Sequence, residues 1–165
     1  MTARRAGLVV AVAHVLIVGA VGLKLLADRA RLPSAWVRTL PFDPSLPIRG
    51  RYVRLRLEVP LVRGTGEVRA GEYRSVRLQA DGDRLRGILD DEGPVGVRVD
   101  SAGDSLVAGL DQPIAFFIPE HIPDPSVRPS GEELWAEVTV PRRGAPRPIQ
   151  LAVRRNGRLV PLDIR

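Results

Sequence analysis

The stretch F-I-P-E-H-I-P-D-P, Phe117 to Pro125, places Glu120, His121 and Asp124 within five residues, on a loop that follows an apolar run. A carboxylate beside an imidazole suits general acid–base catalysis when both reach a substrate and their proton affinities are tuned. Glu120 and His121 are therefore the best acid–base candidates in the chain. The competing reading is structural: a loop glutamate that caps backbone amides or pairs with an arginine. A metal site would need three or four converging ligands. The loop supplies one histidine, there is no cysteine, and the other histidine, His14, lies in an apolar run. No metal and no other cofactor is expected.

Arginine offers the second kind of chemistry. In G-R-Y-V-R-L-R-L, Gly50 to Leu57, apolar and basic residues alternate, which puts Tyr52, Arg54 and Arg56 on one face of a strand. Arg74, Arg77 and Arg98 would extend this patch if their strands are neighbours. Such a face could bind an anionic ligand: a lipid headgroup, an acidic polymer or an acidic partner. It is equally the polar face of an antiparallel sheet, with arginines paired to Glu58, Glu67 or Glu72. Asp90-Asp91-Glu92 lacks the alternating ligand spacing of a calcium loop and reads as a solvated turn. No P-loop, dinucleotide fingerprint or G-x-S-x-G nucleophile turn is present.

Composition narrows the partners. The chain has 165 residues and a formal charge of +6, with 25 basic residues interleaved among 19 acidic ones. All the cations except Lys24 are arginine. There is no long basic run, and aromatics are only 4%, too few for a base-stacking platform, so nucleic acid is not an expected partner.

The elements that must position these residues begin with a membrane segment. Ala6 to Leu23 contains 18 residues without a formal charge, and with Lys24 snorkelling the run reaches Leu26. At ~1.5 Å per residue such a helix matches the ~30 Å hydrocarbon core of a bilayer. Residues 6–26 are expected to lie in the lipid bilayer as a signal anchor. Lys24, Arg29, Arg31 and Arg38 make the other flank basic too, so a simple charge count is ambiguous, but the short tip with Arg4 and Arg5 favours an N-terminus in the cytoplasm and the body outside it. A cleaved signal peptide, cut near Ala20-Val21-Gly22, is the rival, but the run exceeds the usual ~7–15 residue apolar core of such peptides.

The sequence divides into a cytoplasmic tip and anchor (1–31), a proline-rich connector (32–48) and a β domain (49–165). Pro41, Pro44 and Pro47 argue against a helix or central strand in the connector. Val53, Leu55, Leu57 and Val59 alternate with polar residues until Pro60, which should end the first strand. Eight further strand candidates follow, starting at Tyr73, Arg84, Val95, Ser105, Ile114, Leu134, Ile149 and Arg158. Asp81-Gly82-Asp83 and Asn156-Gly157 are hairpin turns. The expected fold is all-β, an antiparallel sandwich or small open barrel preceded by one transmembrane helix.

A basic N-terminus, one span, Pro41-Phe42-Asp43-Pro44 and a glycine–tyrosine strand resemble the GDYXXLXY protein family. Gly50, Tyr52 and Leu55 match its signature, while Arg51 replaces the aspartate and Leu57 the last tyrosine. Phe117-Ile118-Pro119-Glu120 is similar to a segment in the family's second half. The resemblance implies a bacterial, membrane-anchored protein and supplies no reaction. The arrangement also resembles type I signal peptidases. Their chemistry pairs a serine with a lysine base, however, and Lys24 lies at the end of the anchor, outside the β domain. The expectation is therefore a single-pass protein of the bacterial cytoplasmic membrane, with its β domain on the extracytoplasmic side. It would be a structural or interaction protein working with a membrane-protein partner. The alternatives are an envelope enzyme using Glu120 and His121, and a binding module for an anionic ligand at Tyr52, Arg54 and Arg56.

Overall fold

The computed structural model of the chain describes residues 3–41, 52–62, 68–102 and 105–164. Two compact units meet in sequence between Leu32 and Pro33. The first is helix α1, Ala3–Arg31. It is long and apolar enough to cross a membrane. Exposed apolar side chains occur at consecutive positions, Leu8-Val9-Val10 and Val15-Leu16-Ile17-Val18, so the helix has no polar face to turn toward water. His14 Nδ1 lies 2.9 Å from the Val10 carbonyl, four residues back. In the tautomer protonated at Nδ1, the imidazole donates to its own helix and its polarity is met locally. Arg29 and Arg31 complement the carboxyl-terminal helix dipole. Pro33 stops the helix by disfavouring α geometry at Leu32.

Among the described residues, the second unit contains ten strands: β1 (Ser34–Pro41), β2 (Tyr52–Val62), β3 (Tyr73–Asp81), β4 (Arg84–Leu89), β5 (Val95–Ala102), β6 (Ser105–Leu110), β7 (Ile114–Phe117), β8 (Glu133–Thr139), β9 (Arg147–Arg155) and β10 (Arg158–Pro161). The all-β expectation holds, and of the two architectures the barrel is the one formed. It is closed rather than open. Six strands run β1-β2-β6-β5-β3-β4, and the ring returns to β1 through a parallel contact at Trp36 and Arg84. The Trp36 amide donates to the Asp83 carbonyl at 2.7 Å there. Strands β8, β9 and β10 continue the sheet from the other edge of β1, and β7 lies along the first half of β2.

Two sequence expectations are corrected here. Residues 34–41, read as part of the connector, form a central strand. β1 pairs with β8 through Ser34–Arg38 on one edge and with β2 through Arg38–Pro41 on the other. The prolines bracket this strand instead of interrupting it: Pro33 precedes it and Pro41 is its last residue. Ala35, Val37 and Thr39 alternate inward and are buried. The one polar member, Thr39, donates its hydroxyl to the Leu134 carbonyl at 2.9 Å, so burying it leaves no donor unpaired. The second correction is at Pro60, which does not end β2. The β1 pairing stops at Glu58 and the parallel β4 pairing starts at Leu61, so Pro60 sits in the gap, where that edge requires no amide.

The core is the inner face of these strands. Leu55, Leu57 and Val59 of β2, Val97 of β5, Leu110 of β6 and Leu151 of β9 are fully enclosed. The turns have the backbone their residues suit. Asn156 and Gly157 both take positive φ, 50° and 78°, as a type I′ hairpin requires. Gly82 at φ 60° opens the Gly82-Asp83 turn between β3 and β4.

A candidate binding groove between the barrel and its strand extension

The sequence-derived candidates end up far apart in role. Glu120 and His121 are exposed in the turn that follows Ile118 and Pro119. Ile118 is buried, and the Ile122 amide bonds the Pro119 carbonyl at 3.2 Å, which fixes that turn. Asp124 accepts the Ser126 amide at 2.8 Å, a local turn role. Neither Glu120 nor His121 lines either of the two cavities described below. Among the described residues, no three acidic or histidine side chains gather as a metal would need.

The arginines of β2 are half-buried and alternate with core residues, as the pattern implied. Arg56 lies across Gly109 of β6. A Cβ on that glycine would stand 3.2 Å from the Arg56 Cδ, so the glycine makes room for the arginine stem. Tyr52 packs edge-to-face on Phe117 at 5.6 Å, and both rings are exposed. Arg98 lies two strands away on β5 and covers the Tyr73 ring at 6.0 Å. Arg74 and Arg77 are on β3, which β4 separates from the far end of β2. Arg74 meets Glu72 and Asp91, each at 3.6 Å, and Arg77 meets Asp90 at 2.7 Å. Arg74 and Arg77 are thus held by acidic residues near their own strand, whereas the Arg56 stem crosses Gly109, the β6 residue that opposes Arg98 of β5. Gly50, Arg51 and Glu67 lie outside the described residues.

Asp90 shows how the acidic turn is used. Arg77 Nε and Nη2 both donate to Oδ2, at 3.0 and 2.7 Å, and the Glu92 amide donates to Oδ1 at 3.0 Å. The arginine hydrogen bonds, then the backbone one, hold the Asp90 carboxyl below the ordinary aspartate range.

The convergence that the structure does create lies elsewhere. Where β1 leaves the barrel to join β8 and β9, a groove of ≈ 470 Å³ opens on the outer face. Its walls bring both tryptophans of the chain, Trp36 and Trp135, together with Arg38, Arg84, Arg86 and Arg154. Trp135 faces outward between the core residues Leu134 and Ala136, yet it is only 6% exposed. Guanidinium groups help to cover it: Arg84 of β4 stands 4.6 Å from the ring centroid and Arg154 of β9 stands 5.4 Å from it. Both distances lie within cation–π range. The indole N–H donates to Glu133 at 3.2 Å. Arg38 ties the groove to the barrel, reaching Glu58 at 3.0 Å and Glu133 at 3.3 Å.

Sequence reasoning missed this site. The available signal was an aromatic at an outward phase of two alternating strands, A-W-V at Trp36 and L-W-A at Trp135. Their proximity depends on the β1–β8 pairing, in which Arg38 opposes Trp135 across about a hundred residues of chain. A second cavity, ≈ 480 Å³, is lined by Pro33, Leu78, Ala80, Val95, Val140 and Pro141, with Arg77 and Arg142 among its lining residues. It contains no nucleophile–base set. Comparison of the chain with protein-family models, with curated proteins and with solved structures finds no match.

Proposed function

We propose that this chain is a membrane-anchored interaction protein of the bacterial envelope. Helix α1 holds it in the cytoplasmic membrane, the barrel stands on the extracytoplasmic side, and it works with a membrane-protein partner. One observation carries the reading: an uncharged span is joined to a barrel whose described cavities are lined by arginine, tryptophan and aliphatic side chains rather than by an acid–base pair. The two carboxylates of the groove, Glu58 and Glu133, are both engaged by Arg38. The basic tip before the span supports the orientation, and the likeness of Gly50 to Leu57 to the GDYXXLXY signature supports the bacterial origin.

The test uses the absence of cysteine. A single cysteine placed at Ser130, in an exposed turn, should react with a membrane-impermeant maleimide applied to the outer face of the membrane. The protein should resist carbonate extraction and should bring a membrane protein with it in mild detergent. Labelling only after permeabilisation refutes the orientation. Release by carbonate refutes the anchor. Repeated purification of the chain alone refutes the partner.

A further inference from the structure

We propose that the Trp36–Trp135 groove binds an acidic, extended segment of a partner protein, with carboxylates of that segment bridging Arg84 and Arg154 beside Trp135. This rests on the reading of the chain as an interaction protein and specifies what it grips. Charge is the first argument. The groove is lined by four guanidinium groups against two carboxylates; Arg38 holds both carboxylates, and Arg86 is paired with Asp81 at 2.8 Å, which leaves Arg84 and Arg154 as the cations without a close acidic partner among the described residues. Arg84 meets Asp83 at only 3.7 Å, and Arg154 meets Glu133 at only 3.7 Å, long contacts that leave their forks unsaturated. These two cations come from strands that are not neighbours, and they converge on one indole ring. The ring helps to position both guanidinium groups, whose acidic contacts at 3.7 Å are too long to be hydrogen bonds. A planar, pre-oriented fork suits two-point recognition of a carboxylate.

Shape and apolar surface decide between occupants. Leu61, Val62 and Val107 line the groove alongside Trp36, so it offers contacts for side chains as well as for charge. A free inorganic anion has no use for that strip. An extended peptide alternates its side chains, so it can set carboxylates on the arginines and apolar groups on the aliphatic wall.

The experiment uses the full chain in nanodiscs of neutral phosphatidylcholine, probed with a displayed library of random nonapeptides. The parent should enrich peptides in which Asp or Glu alternates with apolar residues. A synthetic winner should bind at least about tenfold more weakly to Arg84→Gln and to Arg154→Gln, given the usual strength of a charged hydrogen bond. Its all-amide counterpart should lose the same, and affinity should fall with salt. Arg84→Lys/Arg154→Lys keeps the charge without the planar fork and should recover only part of the binding. Both arginines are partly exposed, so circular dichroism should show these variants folded. Enrichment without acidic bias overturns the proposal, as does equal binding by the double Gln variant. Full displacement by millimolar inorganic phosphate would mark a small-anion site instead. Binding of phosphatidylglycerol vesicles that is lost in the double Gln variant would mark a lipid site. If the double Gln variant still co-purifies with the parent's membrane partner, the groove assignment falls and the interaction reading stands. If the parent brings no partner, the interaction reading falls.

Discussion

Truncating Val37 to alanine tests whether β1 is truly part of the barrel. Val37 is 2% exposed and points into the core from a strand with partners on both edges. The change removes two buried carbon groups. At about 0.8 kcal/mol each, the lost transfer energy is about 1.6 kcal/mol. The cavity left behind adds about 1 kcal/mol if the walls relax only partly. A destabilisation of about 2–3 kcal/mol follows, which lowers the unfolding midpoint by roughly 8–12 °C for a barrel of this size. The assay is thermal unfolding of the full chain in mild detergent. The intrinsic fluorescence reports this seam directly, because the protein's two tryptophans stand on β1 and β8, which pair with each other. Ser34→Ala, at an exposed position of the same strand, loses only a solvent-exposed hydrogen bond to Glu137 and should stay within about 1 kcal/mol of the parent. If residues 34–41 were a solvated connector, Val37→Ala would be equally silent, and that result would refute the closed barrel.

Three further outcomes are expected. Gly93→Ala should destabilise by about 1–3 kcal/mol, because its Cβ would stand 2.5 Å from the Val76 carbonyl carbon and 2.7 Å from the Asp90 oxygen, backbone atoms that cannot swing aside; unchanged urea unfolding would contradict this packing. The lowered proton affinity of Asp90 means that its ion pair with Arg77 stabilises the fold above the unfolded aspartate value near pH ~4, and that this contribution is lost as pH falls through the still lower folded value. Asp90→Asn should therefore flatten part of the acid limb of a stability–pH curve and leave its neutral-to-basic shape unaltered. The double change Val12→Arg/Leu16→Arg puts two charges one turn apart on the apolar helix, at roughly 2.5–3.5 kcal/mol each. It should shift the protein into the carbonate-soluble fraction; full retention in the membrane pellet would argue that α1 is not what holds it there.

Local signals were strong where structure is local. The apolar helix was legible because a run of uncharged residues needs no partner to declare itself. The strand that carries Val53, Leu55, Leu57 and Val59 declared itself through alternation, and the Asn156-Gly157 hairpin through the positive φ that its residues tolerate. What alternation could not convey is which strand lies beside which. β1 was hidden by its flanking prolines and by Thr39 and Arg38 within it, residues that weaken an apolar pattern until the partners that satisfy them are known.

The groove follows the same logic. Glu120 and His121 drew notice because adjacent residues look like a site on paper, yet both are exposed in a turn and line neither cavity. Trp36, Arg84, Trp135 and Arg154 are spread along the whole barrel sequence, and none of them is remarkable in its own segment. By itself the sequence determined a membrane-length helix, an all-β body and the lack of cysteine chemistry, since composition and short-range periodicity are enough for each. Only the tertiary structure decided that the barrel closes through β1 and that two guanidiniums meet over one indole, because sheet register is set by packing between strands far apart in the chain.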